Sequence, residues 1–179
     1  MNKETVIRVI KGLGYLIMAE VMCLILMLFG FLVLDKTWGR IILSLFSLII
    51  VLGLMANYAG NIGKIECTRI KLGKQEENEK LPYLLAAIVP IPIYLNFIIL
   101  VISRFEIIPN YLPTFRLVNA FYIPPTLLMT GDIEVTDLNI LHMLLIACLV
   151  LLIPATIIIS YKLAINQIKI SEKIMYQNK

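Results

Sequence analysis

Histidine occurs once in these 179 residues, at position 142, and cysteine three times, at 23, 67 and 148, with no C-x-x-C pair. So few ligands at such spacing give neither a zinc cluster nor a disulfide framework, and no metal or cofactor is expected. The patterns H-E-x-x-H and G-x-S-x-G are missing, which removes the usual signatures of a zinc protease and a serine hydrolase. Leu72-Gly73-Lys74-Gln75 lacks both the glycine-rich lead and the hydroxyl residue of a P-loop. An enzyme is therefore not expected. Charge is scarce as well: charged residues make up 16% of the chain against 60% hydrophobic ones, and the mean hydropathy is +0.90. That balance leaves too little polar surface for a water-soluble globule of this length.

Four long apolar runs fill about half of the sequence, at 12–34, 41–63, 83–103 and 140–161. Each is long enough to cross a hydrocarbon core as a helix. Their Leu, Ile, Val and Met follow one another without alternation, which excludes barrel strands. A cleaved signal peptide has an apolar core of about 7–15 residues and a small-residue cleavage site. The first run is longer and ends without an A-x-A pattern, so it reads as a retained span.

Sidedness follows from the basic residues. Twelve of the sixteen Lys and Arg lie in the N-terminal segment (Lys3, Arg8, Lys11), in the 64–82 loop (Lys64, Arg69, Lys71, Lys74, Lys80) and in the 162–179 tail (Lys162, Lys169, Lys173, Lys179). Only Lys36, Arg40, Arg104 and Arg116 fall on the other side. The expectation is a four-helix transmembrane bundle of class all-α, one domain with both termini in the cytoplasm. The net charge of +4 suits an anionic inner leaflet. It forms no stripe with interleaved aromatics, so no nucleic-acid partner is expected.

The outer loop, 104–139, is long for a connection and too apolar to lie bare in water. It is rich in Tyr, Phe and Pro, and residues 111–129 are expected as an interfacial or shallow re-entrant element capping the outer helix ends. His142, at the start of the fourth span, reads as an interfacial anchor.

Inside the spans the costliest residue is Glu20. An acidic residue at a helix centre costs about 2.5–3.5 kcal/mol on insertion scales, so Glu20 should face protein or a water-filled cavity. Counting about 1.5 Å per residue from the cytoplasmic ends puts Asn57 at a similar depth on the second span, with Asn61 one turn away on the same face. Asn96 sits one turn beyond Pro90 and Pro92, where the third span's hydrogen-bond ladder is interrupted. Glu20, Asn57, Asn61 and Asn96 are thus the candidates for binding a ligand or proton. Alternatively they serve as polar glue between helices. Gly53, Ala56, Gly60 and Gly63 form a small-residue stripe on the second span, of the kind that lets another helix approach closely.

Phe115-Arg116-Leu117-Val118-Asn119 and Ile170-Ser171-Glu172-Lys173-Ile174-Met175-Tyr176 resemble stretches of small multi-span membrane proteins of low-GC Gram-positive bacteria. The resemblance covers the second half of the chain. It implies residence in a bacterial cytoplasmic membrane and transfers no catalytic residue. The functional expectation is a non-enzymatic, multi-pass accessory or regulatory subunit, in contact with the lipid bilayer and associating with itself or a larger membrane complex. The alternative is a small transporter or channel, working as an oligomer with Glu20 and Asn57 at its polar site.

Overall fold

The structure, a computed structural model, describes residues 3–73, 78–131 and 133–177, with no side-chain description at Phe31 or from 167 onward. Lys74, Asp132 and Lys179, and the side chains of Lys169 and Lys173, lie outside the described residues. Among the described residues every regular element is helical: α1 Lys3–Gly30, α2 Thr37–Lys71, α3 Leu81–Ile88, α4 Ile91–Arg104, α5 Leu112–Val118, α6 Ile123–Thr130 and α7 Ile140–Gln177, with short 3-10 turns at Phe31–Val33, Ala120–Tyr122 and Val135–Asp137.

Three helices, α1, α2 and α7, are long and apolar enough to cross a membrane, and α3 with α4 makes a fourth if the bent pair counts as one span. Their outward faces are largely apolar through the membrane-spanning windows. Ile17, Leu28, Ile49, Leu144, Leu151 and Ile159 are all more than half exposed. A continuous apolar exterior of this kind suits lipid and would drive aggregation in water.

α1 and α2 form an antiparallel hairpin closed by a short turn. Contacts at Gly12 with Tyr58, Cys23 with Ser47 and Gly30 with Leu43 set its register. At the turn, Gly39 is required: a Cβ built there would sit 2.0 Å from the Val33 carbonyl oxygen. Gly39→Ala is expected to cost about 1–3 kcal/mol by overpacking, read as a lower thermal unfolding midpoint in detergent. Gly14 provides the control, because a Cβ there would meet nothing within 4 Å, and Gly14→Ala should leave the midpoint unchanged.

α7 packs along α2, and Gly63 makes their close approach possible, because a Cβ there would lie 2.8 Å from the Tyr161 carbonyl oxygen. The α2 helix runs on to Lys71 instead of ending near residue 63. Two further turns, expected as the start of a loop, are thus helical and bury Glu66 and Cys67.

Residues 83–103 do not form one straight helix. The break falls at Pro90, and α3 and α4 meet at a bend of 47°. Proline has no N–H to donate to the carbonyl of residue 86 four positions back. The Tyr94 hydroxyl donates to that Ala86 carbonyl instead, at 3.2 Å. Beyond the break, the Ile93 and Tyr94 N–H groups both donate to the Pro90 carbonyl and start α4.

Residues 112–130 go deeper than a cap. α5, the 3-10 turn and α6 fold in against α1, α2 and α7, with Phe115, Ala120, Phe121 and Tyr122 at or below 1% exposure. The Tyr122 hydroxyl donates to the Leu149 carbonyl at 2.9 Å, nine residues or about 14 Å along α7 from its start. The large aromatics of the segment fill the middle of the helix packing. Apolar side chains and internally bonded backbone make that burial favourable.

Candidate functional site

Glu20 holds the tip of this inserted segment. Between α5 and the 3-10 turn the chain leaves helical geometry at Asn119, whose φ and ψ are −128° and 66°. The N–H of Ala120 therefore lacks a partner within its own segment, and it donates to Glu20 Oε1 at 2.6 Å. Asn119 itself is buried, its amide donating to the Phe115 carbonyl at 3.0 Å. An irregular backbone at this depth must find such partners. Glu20 is placed by its need.

Beside that contact lies a cavity of about 330 Å³, lined chiefly by apolar side chains from α1 and α4, with Glu20, Asn96 and Asn119 as its polar groups. Asn96 donates to the Pro92 carbonyl at 2.9 Å and accepts from the Tyr111 hydroxyl at 2.6 Å. Two of the four polar candidates, Glu20 and Asn96, are thus brought to one cavity.

Asn57 and Asn61 are not. They bond to each other at 3.1 Å on the exposed face of α2. The hairpin register puts Asn57 level with Leu13 to Leu16, a turn or more from Glu20. Rotation also counts against the pairing, because Tyr58 and Ala59, next in sequence, take the buried positions. Depth counted from span ends matched Glu20 with Asn57, but it carried no information on the hairpin's offset or on which face turns inward.

The small-residue stripe divides as well. Gly63 is filled by α7, whereas Gly53 and Gly60 have nothing within 4 Å and Ala56 is half-buried. On a wheel of 100° per residue, positions 53, 57, 60 and 64 fall within about 60° of one another. This leaves a narrow outward face of two glycines and an asparagine, ending at Lys64. Ser44 and Ser47 are buried and donate to carbonyls of their own helix, Arg40 and Ser44 respectively.

A constellation that no sequence motif announces lies where the start of α1 meets the end of α2. Arg8 binds Glu4 at 2.8 Å and also Glu66, Arg69 binds Glu4, and Arg69 lies 4.0 Å from Glu66. Glu66 is fully buried. The Tyr58 hydroxyl donates to the Arg8 carbonyl at 2.9 Å, below this network. Its signal was present as Glu4-x-x-x-Arg8 and Glu66-x-x-Arg69, two intrahelical charge pairs at helical spacing that an antiparallel hairpin sets side by side.

At the opposite end the arginines serve the backbone. Arg40 donates to the Leu34 and Leu127 carbonyls, Arg104 to that of Leu138, and Arg116 to the Gly131 carbonyl and the Thr130 hydroxyl. These bonds pin the turns around the inserted segment. Asn139 caps α7, its side-chain oxygen accepting the His142 N–H at 2.9 Å.

Compared with family models, curated proteins and solved structures, the chain matches none.

Proposed function

We propose that this protein is a non-enzymatic, multi-pass component of a bacterial cytoplasmic membrane, an accessory or regulatory subunit that docks against another membrane-embedded chain. In this reading α1, α2, the α3–α4 pair and α7 are four spans of a bundle, with both termini cytoplasmic and residues 112–130 re-entrant from the outer side. The charge distribution supports that orientation. Three of the four basic residues assigned to the outer side are committed to backbone carbonyls, while most lysines cluster at the other end.

The observation that carries the docking reading is the outward face of α2. Gly12, Gly30, Gly39 and Gly63 are each filled by a neighbour within the chain, but Gly53 and Gly60 are open, and the Asn57 and Asn61 amides beside them point away from the protein interior. Small residues permit close helix approach, and an amide facing hydrocarbon gains from a partner across the interface.

Gly60→Leu should leave the thermal unfolding midpoint unchanged and abolish co-purification of the partner in mild detergent. Gly63→Leu should instead lower the midpoint, because its side chain would strike the α7 backbone. If Gly60→Leu co-purifies the same chains as wild type, the docking reading fails.

A second reading, a small transporter or channel, rests on the cavity shared by Glu20 and Asn96. Phe115, Phe121 and Tyr122 fill the space beside it, so a conducting form would require the inserted segment to move. A flux assay in proteoliposomes, with Glu20→Gln as the comparison, tests this reading directly.

A further inference from the structure

A groove of about 510 Å³ opens between α1 and α2 at the end of the hairpin where the chain begins. Its floor is apolar, made by Ile7, Ile62 and Ile65, and Tyr15 and Tyr58 flank it with ring centroids 5.7 Å apart. Its rim is basic. Arg8 and Lys11 come from α1, and Lys64 and Arg69 from α2.

We propose that this groove binds one anionic phospholipid, its phosphate held between Lys11 and Lys64 and an acyl chain laid from there past Ile62 toward Tyr15 and Tyr58. Three features favour this occupant. Four cations outnumber the two carboxylates of the network, Glu4 and Glu66, so the groove keeps a positive charge. Within it, Arg8 and Arg69 are drawn into ion pairs, while Lys11 and Lys64 are exposed and line the groove from opposite helices. Finally, Lys11 stands immediately before the apolar run of α1. The basic rim, with Ile7 and Ile65 among its cations, therefore sits at headgroup level, and Ile62, Tyr15 and Tyr58 lie on its hydrocarbon side, the layout of basic pockets between helices that take anionic headgroups. Asn61 adds an amide donor at the edge.

The assignment rests on the membrane-spanning reading. It does not rest on the docking face, so failure here leaves association through Gly53 and Gly60 standing. Alkaline carbonate extraction of membranes separately tests the spanning itself.

The experiment is native mass spectrometry of the full chain in neutral detergent, titrated with phosphatidylglycerol, phosphatidylcholine or glycerol phosphate. One phosphatidylglycerol should bind in preference to phosphatidylcholine. The Lys11→Gln/Lys64→Gln pair should weaken it about 30-fold, from the usual contribution of two basic residues near an anionic lipid surface. Lys36→Gln/Lys80→Gln, which removes equal charge elsewhere, should retain wild-type binding. Equal loss in both pairs, or no loss in the first, would overturn the site. Competition by glycerol phosphate at the same concentration would assign the rim to a free phosphate ester and overturn the lipid.

Discussion

Arg8→Met is expected to destabilise the protein by about 3–5 kcal/mol, the usual cost of breaking a buried ion pair from one side. Glu66 has no exposed surface and the Arg8 side chain is 11% exposed, so loss of the guanidinium leaves a carboxylate without water and without its closest cation. Arg69, 4.0 Å away and 38% exposed, is too distant and too hydrated to replace it. Removing both charges should hurt less: Arg8→Met/Glu66→Leu is expected to recover most of the loss, because an apolar pair of similar volume carries no desolvation cost. Arg69→Met alone should cost no more than about 1 kcal/mol, as for a partly exposed pair. Reversible unfolding in detergent, followed by circular dichroism, checks all three variants. A double variant as unstable as the single one would show that shape, not charge compensation, holds this end of the hairpin.

The second large effect is expected at Glu20. Replacing it with leucine removes the acceptor for the Ala120 N–H, and an unpaired backbone donor in a buried setting costs about 1–3 kcal/mol. The damage should be local. Labelling of a cysteine introduced at Leu112, buried on α5, reports whether residues 112–130 have loosened from α1. Glu20→Gln keeps a carbonyl oxygen in place and should restore most of the protection. The glutamine variant also separates two roles for this residue. If Glu20 serves only to seat the inserted segment, Glu20→Gln retains function, whereas a role in moving protons or cations would be lost in a variant that is otherwise well folded.

The two residues differ in how visible they were. Glu20 stands out because a carboxylate in an apolar run must face protein or water, whether as a binding group or as polar glue, and the structure gives it a partner. That partner is a backbone N–H a hundred residues away, at a break in an otherwise short and ordinary helical stretch. Nothing local marks Ala120 as needing an acceptor. Arg8 and Glu66 were hidden for another reason. Both lie outside the longest apolar windows, where charge is ordinary, and only the continuation of α2 past residue 63 makes Glu66 a buried residue. Pro90 and Pro92 were legible because proline removes a donor wherever it stands. The stabilising bond from Tyr94 to Ala86 is the structure's answer to that loss.

The small-residue stripe shows the limit most clearly. Gly53, Ala56, Gly60 and Gly63 are equivalent by spacing, yet α7 occupies one end and leaves the rest open. Spacing defines a face only within one helix. Which neighbour covers it depends on how the other helices are rotated and offset.

By itself the sequence determined that the chain is helical and suited to lipid, where its long apolar runs lie, and where a helix must break. Those properties are additive over neighbouring residues: hydropathy sums along a window, and a missing N–H acts four positions away. The tertiary structure alone decided that residues 112–130 reach the middle of the helix packing. It alone joined Glu20 to Ala120, turned Asn57 outward and buried Glu66 beside Arg8. Each of these follows from register and rotation between elements distant in the chain, which are set by the joint packing of all the helices and are written in no single stretch of it.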